Sequence, residues 1–204
     1  MAYPTVSKTY GLKPVNRLDG LPYAGAIRQI PIAAGYATAI LNGDTVKVDT
    51  NGYLVANTTS NSGDSVGVLV GCSYTNSSGQ FTNGQYYPAS QSTSTQLAFG
   101  FVVDDPNAVF RVVATSGQTT TPTAYSRALV GSNVALSVNT GSTNTGDSYY
   151  GIDGASADTT ATLPVRVIDV IPDTATGAAN VAATTYYEFL VKFNLHQYTD
   201  TTGI

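Results

Sequence analysis

The sequence predicts an all-β protein: a compact β-barrel or β-sandwich with an extended N-terminal arm and at most one or two short helices. Three observations carry this reading. Charged residues make up only 11% of the 204, and Glu188 is the single glutamate, whereas a helical protein exposes Glu, Lys and Arg along its outer faces. The polar positions are filled instead by Thr, Ser, Asn and 20 Gly, alongside 14 Tyr, which is the composition of strands and turns. Apolar and polar residues alternate with a period of two in segment after segment. A chain of this length can bury roughly 70% of its unfolded surface, so its core needs neither disulfide nor metal.

Residues 1–31 stand apart. Pro4, Pro14, Pro22 and Pro31 each remove a backbone donor and fix φ, which blocks both a helix and a central strand. The large apolar groups between them are too many for a disordered tail. An extended arm that docks on its own domain or on an adjacent subunit is expected. The residues expected to make that contact are Tyr3, Lys8, Tyr10, Leu12, Lys13, Arg17, Leu21, Tyr23 and Arg28. The first thirty residues carry a net charge of +3 against -7 for the remainder, so the arm should lie along an acidic neighbour.

From residue 32 to 204 strand signals become dense. "YATAI" leads into "NGDTVKVDTNGYLV", where Asn51-Gly52 predicts a two-residue type I′ turn. That turn sets Val48 opposite Val55 and Thr50 opposite Tyr53. "SVGVLVGCSY" and "TQLAFGFVVDDPNAVFRVVAT" follow, the latter as two strands around Asp104-Asp105-Pro106-Asn107. The segment 121–131 is the one helix signal, with Thr121 as cap, Pro122 in the first turn and Gly131 as stop. "NVALSV", "LPVRVIDVIP" and "TTYYEFLVKFNLHQY" complete the strands. Long polar loops are expected for "NTGSTNTGDSYYGIDGASADTTAT" and "PDTATGAANVAATT".

Signals for chemistry are few. His196 is the only histidine and falls on the polar side of the last strand pattern, where an ordinary exposed residue is expected. With one His and one Cys, zinc has no ligand set. Cys72 sits in an apolar strand and reads as a small buried hydrophobe. Asp104 and Asp105 are adjacent, so they face opposite ways and do not form a glycosidase pair. Asp147, Asp153 and Asp158 share one loop and are the only cluster that could gather around Ca²⁺, although their spacing matches no EF-hand. There is neither a P-loop nor a dinucleotide fingerprint. Net charge is -4 and no Lys/Arg cluster tracks a phosphate backbone, which argues against nucleic acid as a partner. No run approaches the ~20 apolar residues of a membrane span, and the first residues lack a secretion pattern, so a chain made in a reducing cytosol is expected. No cofactor and no enzymatic activity are expected.

"LKPVN" (Leu12 to Asn16), "AGAIRQIPIAAGYATAILNGDTVKVDTNGYLV" (Ala24 to Val55), "FVVDDPNAVFRVVAT" (Phe101 to Thr115) and "YEFLVKFNLHQYT" (Tyr187 to Thr199) carry a resemblance. In these stretches the chain resembles head structural proteins of tailed bacteriophages, particularly those from aquatic hosts. The resemblance implies a capsid decoration, or cement, protein on the outer face of the virion, made in the host bacterial cytoplasm. It further implies the major capsid protein and the chain itself, as a homotrimer, for partners, with no membrane and no small-molecule substrate. No catalytic residues come with it. A host- or glycan-binding module of a fibre or spike is the alternative, since a Tyr-rich β surface also suits sugar rings. A glycoside hydrolase is further off, given the single glutamate.

Overall fold

The computed structural model describes residues 6–23, 27–61, 63–91, 98–176, 185–201 and 203. In chain order its strands are β1 (Lys13–Arg17), β2 (Ile27–Ile32), β3 (Thr45–Val48), β4 (Leu54–Ala56), β5 (Gly67–Thr75), β6 (Phe81–Gly84), β7 (Ala98–Val103) and β8 (Ala108–Thr115). Then come β9 (Tyr125–Ser126), β10 (Asn133–Ser137), β11 (Gly151–Asp158), β12 (Val165–Val170), β13 (Ala175–Thr176), β14 (Thr185–Tyr186) and β15 (Glu188–Phe193). Helix among the described residues is limited to two 3₁₀ turns, Arg127–Leu129 and Pro172–Thr174, and no helix there is long and apolar enough to cross a membrane. The fold is all-β, as composition and alternation require.

β8, β11, β10, β12 and β15 close into a five-stranded barrel, because β15 pairs with β8 as well as with β12. Every pairing in it is antiparallel except β8 with β11. Phe110, Val112, Val134, Leu136, Ile152, Val165, Val167, Phe189 and Val191 fill its interior. A second sheet runs β2-β7-β5-β3-β4, with β6 added beside β5. Its own core holds Ile30, Ile32, Ile40, Val46, Leu54, Leu69, Tyr87 and Val102. The two cores share strands. On β5, Val68 belongs to the barrel core and its neighbour Leu69 to the other; on β7, Val103 and Val102 divide in the same way. Alternation of side chains along one strand thus joins the two layers.

Several expectations need correction. The opening hairpin exists, but its turn is not type I′. Gly52 has φ +82° while Asn51 has no positive φ, and Gly52 N–H donates to Asp49 O at 2.9 Å. This is a type I turn with glycine in the following left-handed position, closing a three-residue loop. The Asp49 carboxylate stabilises it by accepting from the N–H groups of Asn51 and Tyr53, both at 2.9 Å. The extra residue moves the register by one: Val48 faces Leu54 and Lys47 faces Val55. Leu54 is thereby fully buried.

Residues 121–131 form no α-helix. Ser126, not Thr121, caps a single 3₁₀ turn, donation to its side chain coming from Ala128 N–H. The segment expected as a long polar loop contains β11, a central barrel strand. Gly154 within it is required: a Cβ there would come within 2.5 Å of the Tyr125 ring. In "YATAI" only Ile40 makes a bridge, to Tyr87.

The boundary at residue 31 does not hold. β1 pairs with β8 at the rim of the barrel, and β2 pairs with β7 in unbroken register from Ile27 to Ile32. Both are edge strands, the only sheet positions that Pro14 and Pro31 allow. Ahead of β1 the chain is tied in by Gly11 N–H to Tyr150 O at 3.0 Å and Leu12 N–H to Gly43 O at 2.9 Å. This segment pairs with the barrel and sends Leu12 into its core, so the expected arm is part of the fold.

Candidate functional site

The residues expected to form an intermolecular contact are mostly engaged by their own chain. Leu12, 1% exposed, lies in the barrel core, and Tyr23 packs against that core. Tyr10 donates its hydroxyl to Oε1 of the fully buried Glu188, whose carboxylate also takes a two-pronged contact from Arg111, at 3.1 and 2.6 Å. Burial and the adjacent Glu188 push the Tyr10 hydroxyl far above its ordinary pKa, so it stays a donor. The sole glutamate is thus a clasp between the N-terminal segment and β8.

The four basic residues follow the same rule. Lys8 lies over the Tyr149 ring at 4.6 Å. Lys13 donates to Asn42 Oδ1 at 2.6 Å and sits 3.8 Å from Asp147. Arg17 pairs with Asp105 at 3.0 Å and with Asp19 at 3.4 Å. Arg28 pairs with Asp104 at 2.8 Å and stacks on Tyr198. The acidic neighbour of the basic segment is the protein itself. Of the nine residues only Leu21 is a large exposed apolar group, and Tyr3 lies outside the described residues.

The groups considered for chemistry are likewise dispersed. His196 is 2% exposed, which corrects the expectation of a solvent-facing residue. It follows β15 in a turn that bridges to Ser65, and it lies among Phe193 and Tyr198 with ring centroids at 6.2 and 5.3 Å. Burial lowers its pKa to about 4, so it is neutral at pH 7. Cys72 is buried as read, its thiol donating to Tyr86 O at 2.9 Å and pushed by burial up to about 12. Asp104 and Asp105 serve different arginines. Asp147 is near Lys13, Asp153 accepts from Gly117 N–H at 2.8 Å, and Asp158 accepts from Thr159 N–H at 2.5 Å, so these three do not converge. Among the described residues no group of three or more His, Cys, Asp or Glu could hold a metal.

What sequence reading missed is a sheet face. Antiparallel partners point the same way, so Pro31, Phe99, Ser73 and Asn83 form one row across β2, β7, β5 and β6. Gln29, Phe101 and Gly71 form the next row, and Thr75 with Phe81 flanks them. Val103 and Val68, further along the same side, are covered by the barrel; beyond them Phe101 is half-buried and Phe99 exposed, while the small Gly71 and Ser73 between the aromatic groups are buried. A bulge between Leu69 and Gly71 keeps both ends of β5 on that side. Phe81 is 71% exposed, Ile27 48% and Phe99 36%. The face carries no charged side chain. The available signal was "FGFVV" after "GCSY", whose alternation puts Phe99, Phe101 and Val103 on one side, but periodicity does not say where a covering layer stops. Comparison of the chain with protein-family models, with curated proteins and with solved structures finds no match.

Proposed function

We propose that the protein is a structural component of a tailed-bacteriophage virion, which decorates the outer face of the capsid and stabilises the shell. Its partners are the major capsid protein and further copies of itself, assembled as trimers. It has no catalytic role. One observation carries this reading: an uncharged face of the second sheet bearing Phe81, Phe99, Phe101 and Ile27. Exposed aromatic surface of this kind marks a protein contact, and its lack of charge means little desolvation opposes association. The resemblance of four stretches to phage head proteins points to the same role.

The test is reconstitution. Particles lacking the protein, mixed with purified chain, should retain it on sedimentation and show threefold density on the shell surface. A Phe99→Asp, Phe101→Asp double variant should fold, since both side chains face away from the second core, and should lose attachment by at least about a hundredfold, given roughly 1.5–3 kcal/mol per buried aromatic group. Undiminished attachment of that variant removes the face from the proposal. Absence of wild-type binding, together with retention on a glycan surface, would move the protein to the receptor-binding class.

A further inference from the structure

β6 lies at the outer border of the second sheet, and among the described residues only β5 pairs with it. The hairpin that joins the two fixes which of its backbone groups are already used. Asn76 N–H donates to Gln80 O at 2.9 Å and Gly79 N–H to Asn76 O at 2.9 Å, so the ladder starts from the pair Asn76 and Gln80. Bonded and open pairs then alternate along an antiparallel ladder. Tyr74 with Thr82 and Cys72 with Gly84 are the bonded pairs, whereas Thr75 faces Phe81 and Ser73 faces Asn83 as open pairs. The N–H and C=O of Phe81 and Asn83 therefore point outward, away from β5. Both residues are exposed, and past Gly84 the edge closes where the Gln85 side chain donates to Thr145 O.

The other edge strands each carry a guard. β1 has Lys13, Pro14 and Arg17, β2 has Arg28 and Pro31, and on β4 the Ala56 N–H is taken by the Tyr36 hydroxyl at 3.1 Å. β6 has neither charge nor proline, and no Asp, Glu, Lys, Arg or His occurs anywhere from 65 to 103. An unguarded row of backbone donors and acceptors is a template for another strand.

We propose that β6 pairs antiparallel with β6 of a second copy, about a two-fold axis at Thr82. The ladder selects this occupant. With Thr82 opposite its own counterpart, Phe81 of each copy falls opposite Asn83 of the other, and these are the residues whose N–H and C=O point outward. Four N–H···O bonds form and none of those groups is left over. A shift of one residue would set outward groups against inward ones. A shift of two would set Asn83 opposite Gly79, inside the turn, or Phe81 opposite Gln85, beside Thr145. In the proposed register Thr82 meets Thr82 on one face and the two Phe81 rings lie on the diagonal of the other, both favourable cross-strand arrangements. No charge has to be desolvated. A two-fold contact does not close a threefold ring, so on a shell it would tie copies of neighbouring trimers. The pairing itself does not rest on that role, because it needs only two copies of the chain.

The contact is small, so the dimer should be weak in solution, with a Kd between roughly 10 μM and 1 mM. Sedimentation equilibrium of the purified full chain, up to about 1 mM, should show monomer passing to dimer with concentration. Asn83→Pro removes an outward N–H and leaves the bonds of Thr82 and Gly84 to β5. It should keep the wild-type melting curve and weaken the dimer at least about tenfold. Phe81→Lys with Asn83→Lys should abolish the dimer, as should Phe81→Asp with Asn83→Asp, and an equimolar mixture of these two variants should restore it. Cysteine cross-linking with diamide as oxidant reads the register, the buried Cys72 staying out of the reaction. Thr82→Cys should link to its counterpart, since an open pair sets Cα atoms about 4.5 Å apart. Asn83→Cys, about 7–8 Å from its counterpart on the diagonal, should link at least about tenfold more slowly. The proposal is overturned if the chain stays monomeric at about 1 mM, whether or not β6 takes a strand of another protein. It is equally overturned if Asn83→Pro dimerises like the wild type, or if Asn83→Cys links as readily as Thr82→Cys. All of these measurements are made without particles, so they leave attachment to a shell to be decided by itself.

Discussion

Glu188 shows how much one residue decides here. It is the only glutamate, it has no exposure, and Tyr10 and Arg111 both end on its carboxylate. Removing Arg111 leaves a buried charge without its cation, so Arg111→Ala should cost on the order of 3 kcal/mol, read as a lower denaturant midpoint with unchanged slope. Tyr10→Phe deletes one hydrogen bond and should cost about 1–2 kcal/mol. His196 and Asp44 make opposite contributions to pH dependence. The folded pKa of His196, about 4, lies below its ordinary 6.5, so the folded state binds fewer protons and stability falls as pH drops from about 6.5 to 4. The folded pKa of Asp44, about 6, lies above its ordinary 3.8, so its burial costs stability above pH 6 and that cost vanishes as pH falls toward 3.8. Each effect is on the order of 3 kcal/mol, and they oppose one another between about pH 4 and 6. Asp44→Asn should therefore steepen the loss of stability on acidification, and His196→Leu should flatten it. Urea unfolding at several pH values checks both; parallel curves for wild type and variants would refute the assignment.

Among elements, β1 and β2 reverse the expected division between arm and domain. Prolines exclude a central strand but not an edge strand, and both segments found edges: β1 beside β8 and β2 beside β7. Leu12, Ile30 and Ile32 are buried, each contributing about 1.5–3 kcal/mol, and deletion of residues 1–31 removes the first two with ten strand residues. Set against a total stability of roughly 5–15 kcal/mol, that loss should leave the truncated chain unfolded, or melting tens of degrees lower. A thermal melt followed by far-UV circular dichroism decides it; a truncated chain that melts like the whole would restore the separable arm. Deletion of the first thirty residues is thus a test of folding before anything else.

At the scale of the molecule, the two cores are held on opposite faces of the same strands, Val68 with Leu69 and Val102 with Val103. Neither can be exposed without disturbing the backbone that carries the other. The barrel and the second sheet should unfold in one transition, with tyrosine fluorescence and circular dichroism giving coincident curves. Two separated transitions would mean that the sheets are independent units.

The all-β class and most strands were legible in the sequence because both rest on local properties: composition depleted in helix formers, and a period of two in "VRVIDV", "NVALSV" and "YEFLVKF". Buried Cys72 was legible for the same reason. Tertiary structure alone decided the rest. β11, "GIDGASAD", has almost no strand signature; it is a strand because β8 and β10 offer it partners on both sides and Tyr125 needs the space above Gly154. His196 alternated onto a polar side, but the strand ends at Phe193 and the chain turns it inward. The basic segment pointed to an acidic partner, and only the fold could show that Asp104, Asp105 and Asp147 meet it from within the chain. The candidate face was half legible: alternation placed Phe99 and Phe101 on one side, while the barrel's extent, a long-range fact, determined that Phe99 stays exposed and Phe101 half-buried. Patterns along a chain report which side a residue takes, and what covers that side depends on segments a hundred residues away.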